Sequence, residues 1–121
     1  MKKKVLIVDD DEATQYLFQI ALEELGLDFE TVSNGLDGIT KLKNGQFDLV
    51  LMDIRMPVLD GYAATRTIRR EISKDIPIIA ISAHAMDGVQ NKCFDAGMNV
   101  YMSKPVDISQ LKLVILENLN R

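Results

Sequence analysis

Short apolar runs alternate along this chain with stretches of helical periodicity, and few folds accommodate such an alternation. The first run, Val5-Leu6-Ile7-Val8, is continuous and rich in β-branched residues, which is typical of a strand buried on both faces. Further strands are predicted at residues 28–32, 47–52, 76–81 and 99–102. Each strand is followed by apolar residues at helical spacing. The pattern therefore predicts an α/β fold, with one doubly wound, five-stranded parallel sheet and helices on both of its faces.

The predicted helices have identifiable apolar faces and N-terminal caps. The apolar positions include Leu17 and Phe18 in the first helix, Leu36, Ile39 and Leu42 in the second, and Met86, Val89 and Cys93 in the fourth. Asp11, Asp60 and Asp107 each precede a helix, and we interpret them as N-caps because a side-chain carboxylate there accepts hydrogen bonds from the first turn.

Composition excludes several classes of function. The 121 residues contain 14 basic and 18 acidic side chains, and the formal net charge of −4 argues against direct binding to nucleic acid or to an anionic membrane. No uninterrupted apolar run approaches the ~20 residues that span a bilayer. The single cysteine, Cys93, cannot form an internal disulfide, which fits a reducing compartment. We expect one cytoplasmic domain over residues 1–121.

Candidate site residues follow four of the five predicted strands. Asp9 and Asp10 come after the first strand, Asp53 after the third, Ser82 after the fourth and Lys104 after the fifth. Ligands of doubly wound sheets bind beyond the carboxyl ends of the strands, so these side chains are expected to converge. Clustered carboxylates repel one another, which raises at least one pKa unless a cation neutralises them.

The types of these residues indicate a hard metal ion and phosphoryl chemistry. Oxygen ligands without histidine or cysteine partners favour Mg²⁺, and one histidine and one cysteine are too few for a zinc site. An aspartate can attack a phosphoryl group to give an aspartyl-phosphate, while cations and a hydroxyl hold the phosphoryl oxygens. The chain lacks both the GxxxxGK[ST] loop of nucleotide-binding proteins and the GxGxxG fingerprint of dinucleotide-binding domains.

Four segments in order, KVLIVDDDE, LVLMDIRMPVLDGYAATRTIR, IPIIAISAHA and YMSKP, resemble the receiver domain of response regulators over essentially the whole chain. The resemblance implies the flavodoxin-like strand order 2-1-3-4-5. It also implies that Asp53 is the phosphate acceptor and that Asp10 binds Mg²⁺ directly. Asp9 would act on the metal mainly through water, and the backbone carbonyl of Arg55 would be a further ligand.

The resemblance assigns the remaining site residues as well. Ser82 and Lys104 would contact the phosphoryl group, and the Lys104–Pro105 peptide bond would be cis. Ser82 and Tyr101 would form a switch that reports phosphorylation. Arg55 and His84 overhang the path of the hydrolytic water in this family and are expected to modulate the lifetime of the phosphate.

The implied partners are a histidine kinase or a histidine phosphotransfer protein, and a downstream protein at the face of helix four, strand five and helix five. Such a chain would catalyse only its own phosphorylation and dephosphorylation. One alternative is a phosphatase like the haloacid dehalogenases, with Asp9 of Asp9-x-Asp11 as nucleophile. Ala13 and the lack of an acidic pair after strand four argue against it. The other alternative is a degenerate receiver that serves only as a binding module.

Overall fold

The computed structural model describes residues 2–83 and 88–120. Within these residues the strands are β1 (Lys4–Val8), β2 (Asp28–Val32), β3 (Leu49–Asp53), β4 (Ile78–Ser82) and β5 (Val100–Ser103). The helices are α1 (Glu12–Glu24), α2 (Gly35–Asn44), α3 (Gly61–Glu71), α4 (Val89–Ala96) and α5 (Ile108–Leu119).

The strands form one parallel sheet in the order β2-β1-β3-β4-β5, which confirms the predicted fold class and strand order. Val8 is paired with Met52, and Asp53 is paired with Ile81. The carboxyl ends of β1, β3 and β4 therefore lie side by side at one edge of the sheet. We call this edge the carboxyl edge.

Successive side chains of the strands enter two separate cores. Leu6, Val8, Val50 and Met52 pack against buried residues of α2, α3 and α4. Their neighbours Val5, Ile7, Leu49 and Leu51 pack against α1 and α5 on the other face. Both faces of the central strands are thus covered, which explains why their sequences are continuously apolar.

Two residues of the predicted apolar helix faces are exposed: Leu17 by 41% and Leu36 by 52%. Leu36 lies in the first turn of α2, beyond the end of β2, where the sheet no longer offers a surface to cover. The strands β3 and β4 also begin two residues later than predicted. For β4 the cause is Pro77, which has no N–H for the strand ladder, although its carbonyl accepts from the Val50 amide at 2.9 Å.

The predicted N-caps are confirmed. Asp11, Asp60 and Asp107 accept hydrogen bonds from the amides of Thr14, Ala63 and Gln110, respectively. Met86, predicted to belong to the fourth helix, lies outside the described residues. None of the helices in the described part of the chain is long and apolar enough to cross a membrane.

Candidate functional site

Three carboxylates meet at the carboxyl edge. Asp9 and Asp10 directly follow β1, and Asp53 is the last residue of the neighbouring strand β3. One carboxylate oxygen of each lies within 4.8 Å of the others. Asp9 and Asp53 are buried, whereas Asp10 is exposed to solvent. The convergence predicted from the strand ends is therefore found, and the cluster has one side that is open to a ligand.

Hydrogen bonds from neighbouring segments fix the position of Asp9. Its amide donates to the Val32 carbonyl at 3.1 Å, which extends the pairing of β1 with β2 by one residue. Its Oδ1 accepts from the Asp11 amide at 2.9 Å, and its carbonyl accepts from the Gln15 side chain. The carboxylate of Asp9 is thus oriented by the chain itself rather than by solvent.

Lys104, which directly follows β5, brings a positive charge to the cluster. Its Nζ lies 3.2 Å from Asp9 Oδ2 and 3.8 Å from Asp53 Oδ2. Its amide donates to the Ser82 carbonyl at 2.8 Å, so the backbone of Lys104 is attached to the end of β4. The Lys104–Pro105 peptide bond is cis, as expected.

The cluster holds more negative charge than Lys104 neutralises, and the pKa values of its acids reflect this excess. Burial, together with the nearby charge of Asp9, raises the pKa of Asp53 to about 6, against the lowering effect of Lys104. Burial also raises the pKa of Asp9, although the Asp11 amide and Lys104 oppose that rise. The site therefore favours either a proton or a further cation.

The arrangement of oxygens fits a hard divalent cation. Asp9 Oδ2 is buried and forms an ion pair with Lys104. Among the described residues, no donor meets it in hydrogen-bonding geometry. Asp10 and Asp53 offer further carboxylate oxygens close by, and exposed Asp10 leaves room for coordinating waters. An oxygen-only set with few carboxylates is the type of site that Mg²⁺ occupies.

The predicted switch residues lie on β4, which adjoins the strand of Asp53, and on β5, the next strand of the sheet. Ser82 is the buried last residue of β4, and Asp53 is paired with the residue before it. Tyr101 is half-buried on the adjacent strand β5. Burial and the nearby Cys93 raise the pKa of the Tyr101 hydroxyl. β4 therefore connects the acid cluster with Tyr101 along the sheet.

The two residues expected to modulate phosphate lifetime are only partly described. Arg55 follows β3 by two residues, and its side chain is exposed. His84 lies outside the described residues. Their roles, and that of the Arg55 carbonyl as a metal ligand, stay predictions.

Sequence reasoning missed the contribution of Gln15. Its side-chain amide donates to the Asp9 carbonyl and lies 3.4 Å from the Ser33 hydroxyl, so it joins the segments that follow β1 and β2. Glutamine early in an amphipathic helix is ordinary surface composition, and no spacing rule marks it as a contact of the site.

Proteins of known family are similar to this chain in sequence and in fold. The family model described as "Response regulator receiver domain" matches residues 5–116. Hybrid signal transduction histidine kinase G of Dictyostelium discoideum is 42% identical over 116 residues, which cover 93% of this chain and 3% of that protein. Sensor protein GacS of Pseudomonas syringae is 37% identical over 118 residues, which cover 94% of this chain and 13% of that protein. The chain thus spans only a small part of these relatives.

Two similar solved structures bear on the site. The receiver domain of sensor histidine kinase PA1611 from Pseudomonas aeruginosa PAO1 is 34% identical with a TM-score of 0.92, covers both chains completely, and holds a magnesium ion in its active site cleft. The second is a co-crystal structure from Saccharomyces cerevisiae of the histidine phosphotransfer signaling protein Ypd1 with the receiver domain of the response regulator Ssk1. The similar chain in that structure is 28% identical to this chain with a TM-score of 0.88, and the match covers 96% of this chain and 88% of the other.

Proposed function

The chain belongs to the response regulator receiver domain family, and we propose that it accepts a phosphoryl group on Asp53 in two-component or phosphorelay signalling. One observation carries the assignment to this residue. Asp53 is a buried carboxylate at a strand end, with Lys104 Nζ at 3.8 Å on one side and the acids Asp9 and Asp10 on the other. This arrangement supplies a nucleophile and a cation, together with ligands for a metal ion.

In the proposed reaction a carboxylate oxygen of Asp53 attacks the phosphorus atom of a phosphohistidine. The new O–P bond forms as the P–N bond breaks, and the imidazole leaves with the electron pair and takes up a proton from solvent. The ammonium of Lys104 and the hydroxyl of Ser82 hold phosphoryl oxygens as the group arrives.

We assign the metal site to the same acids. Asp10 and Asp53 would hold Mg²⁺ directly, Asp9 would act through a coordinated water, and the Arg55 carbonyl would complete the protein ligands. When bound, Mg²⁺ would neutralise charge on the carboxylates and on the phosphoryl oxygens. The buried Asp9 Oδ2 supports this role because its only neighbouring charge of opposite sign among the described residues is Lys104.

The chain would catalyse only its own phosphorylation and dephosphorylation and would not turn over a separate substrate. The geometry of Asp9 speaks against its use as a phosphatase nucleophile, because the Asp11 amide holds its Oδ1 and its Oδ2 is buried. The complete set of acids, hydroxyl and ammonium in turn favours a phosphoacceptor over a pure binding module.

A histidine kinase or a histidine phosphotransfer protein is the proposed donor, and a cytoplasmic location, expected from the lone cysteine, belongs to the same proposal. The proposed face for a downstream protein consists of α4, β5 and α5. A pocket of about 270 Å³ lies on this face and is lined by Tyr101, Gln90 and Gln110, among others. The pocket includes the predicted switch residue, so a change at Tyr101 would alter the surface that a partner contacts.

Intact-mass measurement after incubation with acetyl phosphate tests the proposal. We expect wild type to gain one phosphoryl group with Mg²⁺ and none with a chelator. Asp53→Asn should abolish the gain, and Asp10→Ala should raise the Mg²⁺ concentration that is needed. Asp95→Asn, which changes an exposed acid on α4, serves as the matched control and should be labelled like wild type.

The outcomes separate the three functions. Undiminished labelling of Asp53→Asn would refute the assignment of the acceptor. Phosphate release that depends on Asp9 with no labelling of Asp53 would indicate the phosphatase, and the absence of both reactions would indicate a binding module.

A further inference from the structure

Asparagine followed by glycine occurs twice in this chain, once at each end of α2. Asn34 is the N-cap of the helix and Gly35 its first residue, whereas Asn44 is its last residue and Gly45 its C-cap. In such a pair the backbone nitrogen of the glycine can attack the side-chain amide carbon of the asparagine, because glycine has no side chain that hinders the approach. The two pairs are the same dipeptide, so their surroundings in the fold decide which of them reacts.

Hydrogen bonds hold the first pair on both sides of its peptide bond. The Asn34 side chain accepts from the Asp37 amide at 2.8 Å and donates to Asp37 Oδ2 at 3.1 Å. The Asn34 carbonyl accepts from the Gly38 amide at 3.1 Å. Gly35 is buried, and a Cβ on it would lie 2.5 Å from the Leu59 carbonyl oxygen, so its backbone has no room to move. An attack on the Asn34 side chain therefore requires the first turn of α2 to open.

The second pair lies in an exposed segment and is not held in this way. Residues 43–46 are all exposed. Among the described residues, no hydrogen bond is found to the Asn44 side chain, to the Asn44 carbonyl or to the Gly45 amide. The backbone of Gly45 is extended, with a φ of −147°, so the chain leaves the helix at this point. The peptide between Asn44 and Gly45 can thus rotate without breaking a hydrogen bond of α2.

We propose that Asn44 is a modification site of this chain, at which water converts the asparagine to aspartate and isoaspartate without an enzyme. The Gly45 nitrogen gives up its proton and forms a bond to Cγ of Asn44, and the side-chain nitrogen leaves as ammonia. Water then opens the resulting five-membered imide. Aspartate forms if the new bond breaks, and isoaspartate forms if the original peptide bond breaks, because the backbone then continues through Cγ. The whole conversion consumes one water and releases one ammonia.

Both products change the connection between α2 and β3. Each adds one negative charge to a chain whose formal net charge is −4. The charge lies at the C-terminal end of the helix, where the helix dipole disfavours it. Isoaspartate also adds one carbon atom to the backbone that leads into β3, the strand that ends at Asp53. The modified chain therefore differs from the unmodified one in charge and in backbone length.

Peptide mapping tests the proposal, because trypsin places the two asparagines on separate peptides. Cleavage after lysine and arginine leaves Asn34 in residues 5–41 and Asn44 in residues 44–55. The purified chain is incubated at slightly alkaline pH, both folded and in concentrated urea. The two peptides are then analysed by mass spectrometry at intervals, with fragmentation to locate the converted residue.

Two controls separate the effect of glycine from the effect of exposure. Gly45→Ala keeps Asn44 exposed but hinders the attacking nitrogen. A Cβ there would lie 3.4 Å from the Lys41 carbonyl oxygen and from the Phe47 ring, so alanine fits. Within the same digest, Asn91 is an exposed asparagine that is followed by lysine.

In the folded chain we expect conversion at Asn44 to be roughly tenfold faster than at Asn34 or more, because opening the first turn of α2 breaks three hydrogen bonds. In urea the two rates should become similar. Gly45→Ala should lose most of the conversion at Asn44, and Asn91 should stay unmodified. Conversion of Asn34 as fast as that of Asn44 in the folded chain overturns the proposal, as does conversion of Asn44 in urea only or in neither condition. An equal rate at Asn91 or in Gly45→Ala overturns it too, because exposure alone would then suffice.

Discussion

Replacing Asp53 with asparagine is expected to make the metal-free protein more stable at neutral pH. Asp53 is buried, and its pKa of about 6 replaces an ordinary value of 3.8. A carboxyl group with a raised pKa in the folded state holds its proton more tightly there than in the unfolded chain. The free energy of unfolding therefore falls as the pH rises from about 4 to about 6, and the full loss is present above that range.

A pKa of about 6 in place of 3.8 corresponds to about 3 kcal/mol between the two protonation states. Asparagine has a similar shape and no charge, so it avoids this cost at every pH. It also removes one of the acids that form an ion pair with Lys104, which offsets part of the gain. We expect Asp53→Asn to raise the free energy of unfolding by about 2 kcal/mol at pH values well above 6.

Urea unfolding with a chelator, at about pH 7.5 and about pH 4.5, measures both the gain and its pH dependence. The advantage of Asp53→Asn should shrink at the lower pH, where wild-type Asp53 is protonated. Asp95→Asn should stay within about 0.5 kcal/mol of wild type at both pH values. Mg²⁺ at ten times its Kd should stabilise wild type by about 1.4 kcal/mol and the Asp53→Asn variant by less. If the variant is no more stable than wild type at the higher pH, the site does not bear the excess charge described above.

Two further predictions concern the switch and the packing of α4. Ser82→Ala should still be phosphorylated on Asp53. The changes in amide chemical shift that a beryllofluoride mimic of phosphate causes at residues 88–112 should, however, be much smaller than in wild type. Equal changes in both proteins would exclude Ser82 as the sensor. Arg69→Met should lower the free energy of unfolding, measured with urea, by about 2 kcal/mol, because the guanidinium donates to the Gly97 carbonyl and Asn99 Oδ1, both at 2.9 Å. Arg69→Lys should recover only part of this loss, since lysine lacks the forked donors of arginine. A full recovery would show that the positive charge alone matters.

The sequence pattern was sufficient to predict a doubly wound parallel sheet and the convergence of the acids. Both follow from local signals, since the continuous apolar runs require cover on both faces and the strand ends of a parallel sheet share one edge. The strand order, and the roles of single residues at that edge, such as Asp53 over Asp9 as acceptor, depended on the resemblance to the receiver family. Spacing alone treats the two acids alike.

Contacts between segments far apart in the chain were not predictable. Arg69 looks like an ordinary surface residue of an amphipathic helix, yet it reaches the end of α4 and the start of β5. The exposure of Leu36 was also missed, because helical spacing gives the direction of a side chain relative to its own helix and not the extent of the sheet beneath it. Such facts depend on how elements meet, which no local pattern records.

Among the described residues, several departures from the rules for stable folds lie at the carboxyl edge. Buried acids with raised pKa values lie there, and Val58, in the loop that follows Asp53, has a φ of 72°. Elsewhere α1, α3 and α5 begin with capping side chains, and the central strands β1, β3 and β4 bury both faces. Because the buried acids lie on the surface that a phosphoryl donor must approach, Asp53→Asn should stabilise this edge and at the same time abolish phosphoryl transfer, whereas stabilising changes at the opposite end of the sheet should leave the transfer unchanged.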